Sequence, residues 1–270
     1  MQQDTSPKKK SSRWFKFPAG IMWIILFVFV GIIAGITLQH YHAPRKIVLF
    51  TRELISQRRL RNSGVHAENG IIKLGVRRYI ANKEIHEHET IEFDINNAAL
   101  VVIDAWDDSS FRNCNPSGQQ VKRFIRHRKD KLLPLIELAR RHKINIVHAS
   151  HENDIADEVE PRDNEYIVDS FNMTYDTQEL DNYLKLHKIR YLFYAGYASN
   201  YCLLARPTGI IKMREFGYNI IVVRDCVLAF ELPATLKGEY ANEVAINMVE
   251  AQWGHSTTAK QLEEALEKRK

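Results

Sequence analysis

The chain has 270 residues, of which 38 are Lys or Arg and 33 Asp or Glu, giving a formal charge of +5. The excess of positive charge sits at the N-terminal end, so it argues for proximity to a membrane and against nucleic-acid binding. Three cysteines, Cys114, Cys202 and Cys226, form an odd set without metal-ligand spacing. A Cys114–Cys226 bridge stays open as a pairing.

Residues 1–16 form a basic tail, and 17–38, FPAGIMWIILFVFVGIIAGITL, carry no charge. That run is long enough to cross about 30 Å of hydrocarbon as a helix. A cleaved signal peptide is the competing reading, but the apolar run is longer than an ordinary h-region and no convincing A-x-A site follows. The expectation is a single-pass signal anchor with the N-terminus cytosolic and the following domain outside, although basic residues flank the span on both sides. Residues 39–70 are a basic segment, either a helix against anionic headgroups or a solvated linker. Residues 71–270 are ample for one core domain.

Within that domain His86 and His88 alternate with Glu87 and Glu89, which reads as an exposed polar run and not as a metal site. ALVVIDAWD, from Ala99, begins as a continuous apolar run, the mark of a buried parallel strand, and reaches Asp104 at its end. Asp104 suits either a turn acid or a carboxylate near a reacting thiol. Residues 122–142 form an amphipathic helix with a kink expected at Pro134, 144–149 a strand, 177–187 a helix and 191–195 a strand. The segment YLFYAGYASNYC then carries a strand through a glycine turn to Cys202 at a helix start. There the unpartnered N–H groups and the helix dipole stabilise a thiolate, lower its pKa, and offer donors to an oxyanion. Taken alone, Cys202 is equally readable as buried packing. Gly217 closes the next helix, 219–224 is a buried strand, and helices cover 239–253 and 258–268. Alternating units of this kind predict an α/β domain, a mostly parallel sheet between two layers of helices.

ALVVIDAWD, INIVHAS, DSFNMTYDTQEL and AGYASNYCLLA occur in the order and spacing of the isochorismatase-like cysteine hydrolases, a superfamily that includes nicotinamidases and carbamoylases. The domain resembles that superfamily over about the last two-thirds of the chain. The resemblance implies a three-layer α/β/α fold, Cys202 as nucleophile and Asp104 as general acid/base. It also implies a cis peptide between Tyr197 and Ala198, with an oxyanion hole from the N–H groups of Ala198 and Cys202. The family lysine is absent: NEYIV, residues 164–168, contains none, and the nearby Arg162 is a poor substitute. A subset of the superfamily shares the D-x-W-D strand and the R-P-x-G-I segment, here Arg206 to Ile210.

His151, Trp106, Phe171 and Tyr197 are candidate pocket residues, each with a core or structural reading beside it. No metal and no cofactor are expected. Two functions follow: a membrane-anchored hydrolase of a small amide or related C–N bond, or a silent relative that binds a small ligand or partner chain. Homo-oligomers are common in the superfamily.

Overall fold

The computed structural model describes residues 70–114, 117–150, 154–168 and 176–268. The basic tail, the apolar span and the basic segment lie outside the described residues, as do His151 and Phe171. Among the described residues no helix is long and apolar enough to cross a membrane.

Eight strands form one sheet in the order β2-β1-β8-β7-β6-β3-β4-β5. β1 (Ile71–Ile80) and β2 (Ile85–Asp94) make an antiparallel hairpin, and β1 also runs antiparallel to β8 (Gly254–Thr257). The other pairings, through β7 (Asn219–Leu228), β6 (Tyr191–Tyr197), β3 (Ala98–Ile103), β4 (Asn145–Ala149) and β5 (Tyr166–Val168), are parallel. The sheet is mostly parallel, as expected. The hairpin was not foreseen, because the alternation of His and Glu read only as exposure. That alternation is a period-two pattern on an edge strand, where charged side chains also block further pairing.

β3, AALVVI, is apolar and buried at every position because both faces of the sheet are covered there. Leu100, Val102, Phe193 and Ile221 pack into one core with α1 (Asp108–Asn113), α2 (Gly118–His127), α3 (Leu133–Arg141) and α8 (Ala259–Glu267). Val101, Ile103, Tyr194 and Val222 pack into another with α4 (Asp176–Leu186), α5 (Cys202–Ala205), α6 (Ile210–Glu215) and α7 (Tyr240–Gln252). Each buried aliphatic side chain contributes about 1.5–3 kcal/mol relative to exposure.

The helix expected at 122–142 begins earlier, at Gly118 behind the Ser117 cap, and passes through a π turn at Arg128–Leu132 before α3. Pro134 has no N–H and its ring crowds the carbonyl one turn back, so the irregularity falls before the proline instead of as a kink at it. The helix after Cys202 is also broken. Arg206 precedes Pro207, a position that excludes αR, and is extended at φ −62, ψ 158; α6 starts afresh at Ile210. Gly217, at φ 88, then ends α6.

Chain order places the site. From β3 the chain winds outward through β4 and β5, then returns to lay β6, β7 and β8 on the other side. The crevice between the ends of β3 and β6 is the switch point of the sheet, where ligands bind in open α/β folds.

Candidate active site

Asp104 follows the last residue of β3 and is completely buried, with φ at +47. Left-handed backbone is uncommon outside glycine, and aspartate is among the residues that tolerate it. Beside it, Gly196 of β6 runs at φ +103, and a Cβ there would stand 2.0 Å from the Ile103 carbonyl oxygen. Only glycine permits that approach, which brings the cysteine turn against the aspartate strand.

The turn itself is pinned by its polar residues. Ser199 Oγ donates to Asn242 Oδ1 at 2.6 Å; Asn200 Nδ2 donates to the Phe230 carbonyl at 3.0 Å and its Oδ1 accepts the Phe230 N–H at 3.1 Å. The peptide between Tyr197 and Ala198 is cis. The N–H groups of Tyr201 and Leu203 both donate to the Ala198 carbonyl. Among the described residues, no hydrogen bond claims the N–H of Ala198 or of Cys202. Cys202 is the first residue of α5, where a helix has no intrahelical partner for its N–H.

Three side chains converge. The Cys202 thiol lies beside the Asp104 carboxylate and the Arg206 guanidinium, close enough for each to bear on its charge, and Arg206 Nη2 stands 2.7 Å from Asp104 Oδ2. Ser150 Oγ reaches Asp104 Oδ1 at 3.5 Å. Burial pushes the Asp104 carboxyl up to about 6, against the opposing pull of Arg206 and of the bonds from Cys202, Arg206 and Ser150. Burial and the neighbouring carboxylate push the Cys202 thiol up to about 11, with Arg206 pulling the other way. The expectation of a lowered thiol pKa is therefore corrected. The one-turn α5 and a single shared guanidinium do not offset burial beside a carboxylate.

Arg206 is the site residue that sequence reasoning missed. Its segment was noted, but the cation was sought before DSF, where the family lysine stands. Arg162 pairs instead with Glu137 at 2.9 Å on the surface. The lysine-free stretch NEYIV turns Glu165 inward, to Arg140 Nε at 2.6 Å and His148 Nε2 at 2.7 Å. The available signal was Pro207, which forces a break immediately after Arg206.

Trp106 and Cys202 line a cavity of about 770 Å³, together with Tyr201, Phe230 and Leu236. Tyr197 is placed elsewhere. It is 1 % exposed, packs edge-on against Phe111 and Phe124, and bonds His127 Nδ1 at 2.9 Å, so it belongs to the core behind the turn and not to the cavity wall. Asp107, next to Trp106, caps α1 through Ser110 N–H at 2.7 Å. The cysteines are all free, Cys114 exposed and Cys226 buried, so the Cys114–Cys226 bridge is not formed. Among the described residues no three His, Cys, Asp or Glu side chains form a group suited to a metal ion.

A thiol, a carboxylate and a guanidinium thus meet at the switch point of an α/β sheet. The isochorismatase domain model matches residues 98–261, and the chain belongs to that family. A cysteine hydrolase from Pseudomonas syringae pv. phaseolicola 1448A is similar in structure, with a TM-score of 0.52 at 15% identity over 66% of this chain and 96% of that one. An octameric hydrolase from Escherichia coli gives 0.45 at 20% identity over 65% and 81%. The nicotinamidase/pyrazinamidase of Bacillus subtilis gives 0.43 at 15% identity over 58% and 96%. A search of curated proteins found no match. Family membership supports a hydrolase of small amide-type substrates.

Proposed function

We propose that the chain is a membrane-anchored cysteine hydrolase that cleaves a small amide or related C–N bond. The observation that carries this reading is the contact of Asp104 with both Cys202 and Arg206 in a buried crevice. The Asp104 carboxylate takes the thiol proton as sulfur attacks the carbonyl carbon. The oxyanion that forms accepts from the N–H groups of Ala198 and Cys202. Protonated Asp104 then gives its proton to the departing amine as the C–N bond breaks, leaving a thioester. Water attacks the thioester, Asp104 takes its proton, and the acid leaves with the thiol restored.

Arg206 cannot shuttle a proton, because guanidinium stays charged. Its part is to hold Asp104 in place and to balance the negative charge that moves between oxygen and sulfur. A silent, ligand-binding relative was suggested by the missing lysine alone; a guanidinium on the same carboxylate favours the active reading.

The apolar run 17–38 supports the anchor, and the basic residues before it support a cytosolic N-terminus with the hydrolase domain outside. Assembly into a homo-oligomer belongs to the same proposal. Turnover of a panel of small amides, with intact-mass detection of a thioester on Cys202, tests the chemistry. The proposal expects an adduct that Cys202→Ala abolishes and that Asp104→Asn forms far more slowly. Turnover unaffected by Cys202→Ala would overturn it.

A further inference from the structure

A second concavity, of about 1010 Å³, adjoins the catalytic cavity and shares Gln119, Pro233 and Leu236 with it. The two differ in character. Beside Cys202 the wall carries Trp106, Tyr201, Phe230 and Leu236 with the uncharged Ser117 and Gln120, and its Glu231 accepts the N–H groups of Ala241 and Asn242 at the start of α7. The neighbouring groove is lined by six cations, Lys122, Arg123, Arg126, Lys131, Arg224 and Lys237, against the carboxylates of Asp130, Asp225 and Glu239.

Part of that charge is answered within the protein. Arg123 pairs with Glu239 at 2.9 Å, Arg224 bonds Ser256 Oγ at 3.2 Å, and Asp225 accepts the Ala259 N–H at 2.9 Å. His127 on the groove floor is held neutral, pushed down to about 4 chiefly by burial and also by Arg123 and Lys131. Among the described residues, Lys122, Arg126, Lys131 and Lys237 take part in no salt bridge. Elsewhere in the domain arginines are engaged, Arg128 by Asp108 and Glu158, Arg140 by Glu137 and Glu165. Lys122 and Arg126 stand four residues apart on α2 and so share one helix face, with Lys237 on another wall of the groove. Unanswered cations around a concavity raise the local concentration of anions.

We propose that this groove is the subsite for an anionic group on the substrate, so that the cleaved amide carries a carboxylate or phosphate tail extending from the scissile bond over Gln119 and Leu236. The proposal rests on the hydrolase reading above and specifies its substrate class.

The test uses two alkylating reagents of equal reach on the full chain in nonionic detergent, with labelling followed on the Cys202 peptide by mass spectrometry. One is neutral, N-butyl chloroacetamide; the other, 4-(chloroacetamido)butanoate, ends in a carboxylate. At low ionic strength the anionic reagent should label about tenfold faster, an advantage that salt removes. In Lys122→Ala/Arg126→Ala, and separately in Lys237→Ala, the two rates should converge. Equal rates in the parent protein, or a preference that survives both variants, would overturn the subsite while leaving the hydrolase reading intact. Suppression of the preference by anionic-lipid vesicles, with none from free glutarate at equal charge, would assign the groove to headgroups and also overturn it. Labelling indifferent to Asp104→Asn would remove the hydrolase reading itself, and the subsite with it.

Discussion

Asp104 is costly to the fold as well as useful to it. Its carboxyl pKa is raised from 3.8 to about 6, so stability present below the unfolded pKa is lost as pH rises through about 6. At neutral pH that loss is on the order of 3 kcal/mol. A structural carboxylate shows the opposite. Glu165 is lowered to about 2 because its bonds to His148 and Arg140 outweigh burial, and it contributes stability above 4.5 that is lost as pH falls toward 2. A buried acid whose ionisation is disfavoured, held against a thiol, is the pattern of a proton carrier. Arg206 sets how far the disfavour goes. In Arg206→Gln the Asp104 pKa should rise above 6, so the acid limb of the activity profile should move to higher pH. A loss of about a hundredfold in kcat/KM is expected to accompany it. A variant profile that keeps its acid limb in place would show that Arg206 does not bear on Asp104.

The elements explain why these residues meet, and also which parts of the site were readable beforehand. Asp104 and Cys202 were legible because each ends or follows an apolar strand, and parallel strands deliver their carboxyl ends to one rim. Trp106 lines the cavity where a core position was the favoured reading, and Tyr197 joins the core, since alternation along β6 decides which face it takes and the turn after Gly196 resets that alternation. Arg206 was hidden because its position depends on a backbone break between two short helices, which no hydrophobic period reports. Pro207→Ala tests that account. With the proline removed, α5 is free to continue toward α6 and carry Arg206 away from Asp104. Activity should fall at least tenfold, while the midpoint of thermal unfolding changes little, because residue 207 supplies no core side chain. A fall in stability with activity per folded molecule unchanged would contradict it.

At the scale of the whole molecule, the proposed chemistry needs only the α/β domain, and the proposal leaves to residues 1–70 the placing of the reaction at a membrane. The basic tail and the apolar run 17–38 predict that the full chain stays in the membrane pellet after alkaline carbonate extraction, and that deletion of residues 1–70 releases it. Extraction of the full chain into the supernatant would remove the anchor from the account. A cationic groove beside the cavity would, in an anchored enzyme, serve to select anionic substrates near the membrane surface.

The claim on which the rest depends is that Asp104 and Cys202 act as one proton-sharing pair. The direct measurement is the pH dependence of Cys202 alkylation by iodoacetamide, followed on its own peptide, in the parent chain and in Asp104→Asn. Once the pair has lost one proton, Asp104 can receive the proton of the attacking thiol, so the rate should rise through about pH 6 and then level, far below the thiol value of about 11. Asp104→Asn should lose that rise and react slowly at neutral pH. A single rise near the ordinary thiol value of about 8.5, the same in both proteins, would contradict the pairing.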